Sequence, residues 1–333
     1  MEGNTSIFKK LTAKKGMGQV FTAFGGVIIL MLIFTCMNQN FASAHNLTSL
    51  LRQICPYLLV GIGQAFVCIT GNIDLSIGSV IGMSSMISAT LMCNGVHPTL
   101  AVLAAFAACM VIGVANGILV GKFKLPPFIG TLGTMTIGRG IAQIVNGNYN
   151  TGDIGQGAAE VFRNIFYYGK TLGIYNGVWI TLIVWIVFNY VLSSTVSGRH
   201  TYAIGSNADA ARLSGVDVFK TVTKAYLVSA FCSFLTGLVI LAAAGMGSMD
   251  AGMTYEMYAV AAAVIGGVST LGGSGLLMGV IAGAGVWAVL QNGLTFANAP
   301  VAIRNIVIGV IVVVCVLMDI LRSSGSFKLR KAG

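Results

Sequence analysis

Ten long apolar runs, at 19–37, 53–70, 75–93, 98–120, 127–146, 174–193, 223–244, 256–271, 275–292 and 303–321, fill this chain almost end to end. Crossing a bilayer as a helix takes roughly 20 such residues. In hydrocarbon the backbone must satisfy its own hydrogen bonds, which a helix does within one segment. Only 8% of the residues are charged, against the ~25% that an ordinary soluble domain uses to cover its surface. The mean hydropathy is +0.87. The expected fold is therefore an all-α integral membrane protein of about ten spans, forming one transmembrane domain over 1–333. The 44 glycines fit that expectation, because membrane helices associate through close backbone approach.

The net charge of +10 would point to nucleic acid in a soluble protein. Here it reads as topology, with no nucleic-acid partner. With a cytoplasmic N-terminus, the inward segments hold Lys9, Lys10, Lys14, Lys15, Lys122, Lys124, Arg199, Arg212, Lys220, Lys224, Arg322, Lys328, Arg330 and Lys331, or 14 of the 19 basic residues. Outward segments hold Arg52, Arg163, Lys170 and Arg304, and Arg139 falls inside the fifth run. This bias follows the positive-inside rule and places both termini in the cytoplasm. The N-terminal segment 1–18 resembles a signal peptide in charge, but Val20–Met37 shows no clear small-residue cleavage site, so it reads as a retained first helix. The tail 322–333 is the other cytoplasmic end. The stretch 147–172, with Asp153, Glu160, Arg163 and Lys170, is the longest polar loop facing outward.

Catalysis has no foothold. The seven cysteines are scattered singly, so neither a zinc site nor a disulfide framework is indicated. His45, His97 and His200 form no cluster. The nearest approach to a P-loop, Gly121-Lys122, has Asn116 where the upstream glycine belongs and Phe123 in place of Ser or Thr. No cofactor is expected, and the chain is not expected to be an enzyme.

The residues also repeat at an offset of 176. Asp74 is followed 42 residues later by Asn116-Gly117, and Asp250 by Asn292-Gly293 at the same distance. Gly61 and Gly71 match Gly237 and Gly247. The offset moves the pattern along by five spans, an odd number, so spans 2–5 and 7–10 are expected to form an inverted repeat, as in many transporters.

The loop 194–222 is the largest inward segment. Asn207 has the character of a helix N-cap, with Ala208, Ala210, Ala211 and Leu213 as the helix body and Gly215 as its stop. The loop is expected to hold one short helix between glycine hinges. It is either an amphipathic connector lying on the membrane surface or a docking element for a cytoplasmic partner.

Charged groups inside a membrane are costly and mark sites of function. Asp74, between Gly71-Asn72 and Ser76, is either a cap at a span junction or part of a vestibule. Asp250 and Glu256 either cap the eighth span or pair with an incoming external protein. Arg139, between Gly138 and Gly140, is expected to pair with a carboxylate or with backbone carbonyls; a direct ligand contact is the alternative.

Six segments in order carry a family resemblance. They are Gly71-Asn72-Ile73-Asp74-Leu75-Ser76-Ile77-Gly78-Ser79, Asn116-Gly117, Pro127-Phe128-Ile129-Gly130-Thr131-Leu132-Gly133-Thr134-Met135, Ala203 to Val216, Tyr255-Glu256 and Val264 to Gly275. Together they resemble the membrane permeases of bacterial monosaccharide ABC importers, the ribose/galactose/xylose/arabinose group. The resemblance implies a type II ABC importer permease in the bacterial inner membrane. It implies a second permease copy, a cytoplasmic ATPase subunit that binds ATP and magnesium, and an extracellular or periplasmic sugar-binding protein. It identifies Gly205, Ser206, Asn207, Ala208, Ala210, Ala211, Arg212, Leu213, Ser214 and Gly215 as the ATPase coupling helix. An importer of this kind needs only a weak site in its pore, so Asn72, Asp74, Ser76, Asn116, Thr131, Thr134 and Asn292 are candidates for the path. Arg139, Asp250 and Glu256 are candidates for intramembrane charge or for docking of the binding protein. Tyr258 departs from the pattern, standing where such permeases often carry an acid. A gradient-driven secondary transporter is the rival class, and a nucleoside or a signalling furanose the rival substrate.

Overall fold

The computed structural model describes residues 17–155 and 157–323. The helices in chain order are α1 (Met17–Met37), α2 (Ala44–Ile69), α3 (Ile77–Cys93), α4 (Pro98–Asn116), α5 (Pro127–Ile144), α6 (Ala158–Arg163) and α7 (Asn176–Ser194). They continue with α8 (Val196–Ser206), α9 (Ala208–Leu213), α10 (Val218–Ala244), α11 (Tyr255–Ile265), α12 (Leu277–Phe296) and α13 (Val301–Ser323). A π turn, Gly117–Lys122, extends α4. Before α7 a small hairpin pairs β1 (Lys170–Thr171) with β2 (Ile174–Tyr175). The N-terminal lysines at 9, 10, 14 and 15 and the basic residues at 328, 330 and 331 lie outside the described residues.

Six helical stretches among the described residues are long and apolar enough to cross a membrane: α1, α2, α4 with its π turn, α7, α10 and α12. The helix ends follow local chemistry. Ser43 caps α2 by accepting from the Asn46 N–H at 3.3 Å. Pro98 and Pro127 start α4 and α5, where a missing N–H costs nothing. Gly245 ends α10 in the left-handed region at φ +73°.

Two boundaries moved furthest from the sequence expectation. α2 begins at Ala44 rather than near 53, because a polar first turn and Arg52-Gln53 dilute its hydropathy without breaking the helix. α11 ends at Ile265 rather than near 271, because the Gly266–Gly275 run folds as a loop with Gly267, Gly272, Gly273 and Gly275 at positive φ.

α2 and α10 form the centre. Every residue of α2 from Leu58 to Ile69 is buried. α10 runs along α2, α3 and α4, while α11 and α12 lean on α2 from the other side. The outer helices turn apolar side chains outward, among them Ile28, Ile29 and Leu32 on α1 and Ile183 and Ile186 on α7. That is the pattern lipid requires and water forbids. Gly63 is where α2 and α10 touch: a Cβ there would stand 2.8 Å from Ser229 Cα.

Over-packing a fitted contact costs about 1–3 kcal/mol. Gly63→Val is therefore expected to lower the thermal unfolding midpoint of the detergent-purified protein by several degrees. Gly133→Ala, where a Cβ meets nothing within 4 Å and a helix-interior glycine is replaced, is expected not to lower it.

Candidate functional site

The arm between α7 and α10 is not one helix between hinges. It is two helices, α8 and α9, meeting at Asn207. Thr195 caps α8, accepting from the Gly198 N–H at 3.3 Å. Asn207 caps α9, accepting from the Ala210 N–H at 2.9 Å. Gly215 closes α9 at φ +84°, donating its N–H to Arg212 O at 3.0 Å, and Val216 donates to Ala211 O at the same distance.

Gly205 does not act as a hinge. It lies in the last turn of α8, pressed against the point where α2 ends, and an added Cβ would run into the Ile69 carbonyl and the Gly273 N–H. Gly273 donates to Ile69 O at 2.9 Å, and Tyr202 on α8 donates to Gly275 O at 2.6 Å. The arm thus meets the end of α2 and the α11–α12 loop through the close approach of Gly205 and the Tyr202 hydroxyl.

α9 has one face in and the rest out. Ala211 is buried against the body, while Ala208, Asp209, Ala210, Arg212, Leu213 and Ser214 are exposed. Leu213 is 90% exposed. Arg212 pairs with Asp209 at 3.3 Å across one turn and stays solvated. Behind α9 a cleft of about 530 Å³ is lined by Asn72, Lys124, Asp209, Arg212 and Asp217 among others.

The candidate path residues fall into two groups. Asp74 sits fully buried in the break between α2 and α3. Its Oδ1 accepts from the Ser76 N–H at 2.8 Å and the Ser76 hydroxyl at 2.6 Å, and its Oδ2 accepts from the Ser229 hydroxyl at 2.7 Å. Asn116 donates to Ser76 Oγ at 2.9 Å and accepts from the Thr134 hydroxyl at 2.6 Å. Four candidates, Asp74, Ser76, Asn116 and Thr134, are therefore one hydrogen-bonded chain joining α3, α4, α5 and α10. The N-cap position of α3 is Ser76 rather than Asp74, which satisfies the N–H of that cap residue. Thr131 is buried beside this chain and donates to Pro127 O at 2.8 Å. Asn72 donates to the Thr70 hydroxyl at 2.8 Å and faces the cleft.

Asn292 stands apart. It donates to Asn46 Oδ1 and to Gln53 Oε1, each at 3.1 Å, and accepts from Asn46 Nδ2 at 3.0 Å. It ties α12 to the first half of α2, at the other end of the bundle from α9.

Arg139 finds backbone carbonyls, donating to Ala251 O at 2.7 Å and to Met249 O at 3.2 Å. The Glu256 carboxylate shares its surroundings: a Cβ on Gly78 would meet both Glu256 Oε2 and Arg139 Nη2. Neither Asp250 nor Glu256 caps α11. That position is Thr254, in the left-handed region at φ +67°. Asp250 is exposed on the preceding turn.

Sequence reasoning passed over Ser229, Tyr226, Tyr202, Asn46 and Gln53. Tyr226 donates to Ile73 O at 3.1 Å and joins Ser229 in securing the α2–α3 break. Nothing in the spacing of Ser229 singles it out; only the α2–α10 crossing brings it to Asp74. Tyr258 packs with Trp287 at 5.0 Å and Tyr57 at 5.7 Å between ring centroids.

Long apolar helices around buried polar junctions, with a capped and exposed handle at one end, define a multi-pass membrane permease. The chain belongs to the family described as "Branched-chain amino acid transport system / permease component", which it matches over residues 46–316. It is 34% identical over 305 residues to the ribose import permease protein RbsC of Bacillus subtilis (strain 168), covering 91% of this chain and 94% of that one. It is 33% identical to the D-allose transport system permease protein AlsC of Escherichia coli (strain K12), covering 90% of both chains. It is 30% identical to the galactose/methyl galactoside import permease protein MglC of Haemophilus influenzae, covering 89% and 92%. No solved structure matches. The chain is a transport component, not an enzyme.

Asp217 caps α10, accepting from the Lys220 N–H at 2.9 Å and pairing with its ammonium at 3.2 Å. The Lys220 backbone N–H, then the Lys220 side chain, hold this carboxyl below its ordinary value of 3.8. A carboxyl depressed in the folded state stabilises above the unfolded value and loses that contribution as pH falls through the folded one. The unfolding midpoint of Asp217→Ala is expected below wild type at pH 7, with the gap closing as pH drops below 3.8. A gap that persists undiminished in acid excludes the carboxylate as its source.

Proposed function

We propose that this chain is the transmembrane subunit of an ATP-driven monosaccharide importer. α9 is the handle gripped by a separate cytoplasmic ATPase, and an external binding protein delivers the sugar at the opposite face. The observation that carries this reading is the exposure of α9. A buried Ala211 anchors the helix, and the bare Leu213 beside a solvated Arg212 offers a partner an apolar contact with a charged flank. The sugar relatives support the substrate class.

The same reading takes the chain to have ten spans, adding α3, α5, α11 and α13 to the six long helical stretches, with both termini cytoplasmic. It takes spans 2–5 and 7–10 as an inverted repeat. Exchange of packing partners supports this: α10 packs on α3 as α2 packs on α11, and α4 packs on α10 as α12 packs on α2. The repeat is one of scaffold and not of chemistry, since Asp74 is buried and Asp250 exposed. Two copies form the pore, with no cofactor in the permease itself. ATP binding in the partner draws the α9 handles together, and the arm passes that motion to the α2–α3 break.

Ala211 faces inward, so the docking surface is tested on the outer face. In vesicles holding the permease, its ATPase and its binding protein, Leu213→Asp is expected to lower sugar uptake at least tenfold at normal expression. Uptake at the wild-type rate contradicts the docking role. Asn116→Leu and Asn292→Leu are each expected to reduce uptake several-fold; wild-type transport in either removes that residue from the path.

A further inference from the structure

At the end of the bundle opposite α9, a second cavity of about 400 Å³ lies between the first half of α2, the last turns of α10, the start of α11 and the loop before α7. Arg52, Gln53, Tyr57, Tyr167 and Tyr255 line it, with Ala244 at its edge. The volume falls within the roughly 300–1,000 Å³ of small-molecule sites.

Its chemistry is unusual for a lipid-embedded bundle. Tyr57 and Tyr255 stack at 5.8 Å between centroids. Among the described residues, the hydroxyls of Tyr57, Tyr167 and Tyr255 have no hydrogen-bond partner. The Arg52 guanidinium lies over the rings of Tyr167, at 4.2 Å, and Tyr175, at 4.3 Å. No carboxylate among the described residues reaches it, and its buried Nε is unpartnered. Pro56, also in the lining, has no N–H to give the Arg52 carbonyl four residues back. The cavity thus combines aromatic surface with tyrosine hydroxyls that have no partner among the described residues, and no acidic side chain lines it.

The cavity does not run through the protein. Ile240 and Tyr255 of its wall pack on Val60, Ile77, Ile81 and Ala259, each no more than 1% exposed. Beyond that apolar seal lies the Asp74 chain.

We infer that this cavity is a transient binding site for one neutral monosaccharide ring. A sugar ring pairs C–H faces, which suit aromatic side chains, with a rim of hydroxyls, which suit the tyrosine hydroxyls. The absence of acidic lining disfavours a cation, and a single guanidinium already engaged by three rings is a poor cradle for a phosphate, which favours several donors. The seal below makes the cavity a waiting place rather than an open channel. The inference rests on the importer reading and gives it a site.

Ala244→Cys places a thiol at the edge of the cavity. Its reaction with a membrane-impermeant maleimide is measured in the purified full-length permease, against a parent whose exposed Cys36 and Cys93 are replaced by Ser. Ribose, allose, galactose, fructose and ribose 5-phosphate are each tested as protectants at high millimolar concentration. At least one neutral sugar is expected to slow labelling threefold or more. Tyr57→Phe with Tyr255→Phe, which removes two hydroxyls and keeps the rings, is expected to abolish that protection. The same pair should cut sugar taken up per ATP hydrolysed about tenfold in the reconstituted importer. Protection by none of the neutral sugars, equal protection in the Phe pair, or stronger protection by ribose 5-phosphate overturns the inference. If wild-type vesicles take up a sugar that gives no protection, the site falls and the importer reading stands. If wild type transports none of the four sugars and none protects, both fall.

Discussion

The break between α2 and α3 is the constraint around which the rest is arranged. Residues 70–76 leave helical geometry, and Thr70, Asp74 and Ser76 do so in the interior of an apolar bundle, where water is not on hand to satisfy the backbone. Unmet polar groups there cost several kcal/mol each. The break persists because its polar atoms are met from four directions: Asp74 takes the Ser76 N–H and hydroxyl, Ser229 reaches in from α10, Tyr226 holds the Ile73 carbonyl, and Asn116 extends the chain to α5. Each of these partners fixes a helix. α10 must cross α2 closely enough for Ser229 to arrive, and that is the crossing at which Gly63 leaves no room for a side chain.

The break also gives the arm something to act on. α8 is pinned at Gly205 to the carbonyl of Ile69, the last residue of α2, and at Tyr202 to the glycine loop that follows α11. α8 thereby touches both halves of the bundle, through one close backbone approach and one tyrosine hydroxyl. Glycine is what allows this, since any Cβ at 205 would push the arm away. The two cavities lie on opposite sides of the same core, one behind α9 and one among the tyrosines, separated by the seal of Val60, Ile77, Ile81 and Ala259.

Much of this was legible in the residues. The apolar runs located the helices, and the α9 cap and stop were readable at Asn207 and Gly215 because capping is a local matter of one side chain and the next three N–H groups. Arg139 was expected to find a carbonyl or a carboxylate, and it donates to two carbonyls with Glu256 close by. What escaped was non-local. Tyr57, Tyr167 and Tyr255 are scattered over nearly 200 positions, and no spacing rule unites them. Ser229 reads as one more small residue in an apolar run. Gly205 reads as a hinge because glycine is permissive, whereas here it serves close packing. Asp74 and Asp250 match in the sequence and part company in the fold, one buried and one exposed.

By itself the sequence determined the solvent: so few charges and so many apolar runs leave a bilayer as the only medium in which the chain buries its surface. It also determined the local punctuation of helices. Tertiary structure decided which polar residues meet, which face of α9 is bare, and that aromatic residues from distant segments enclose a cavity. The physical reason is range. Hydropathy and capping act over a few residues along the chain, whereas hydrogen bonds and ring contacts inside the bundle depend on helix crossings that no single segment specifies.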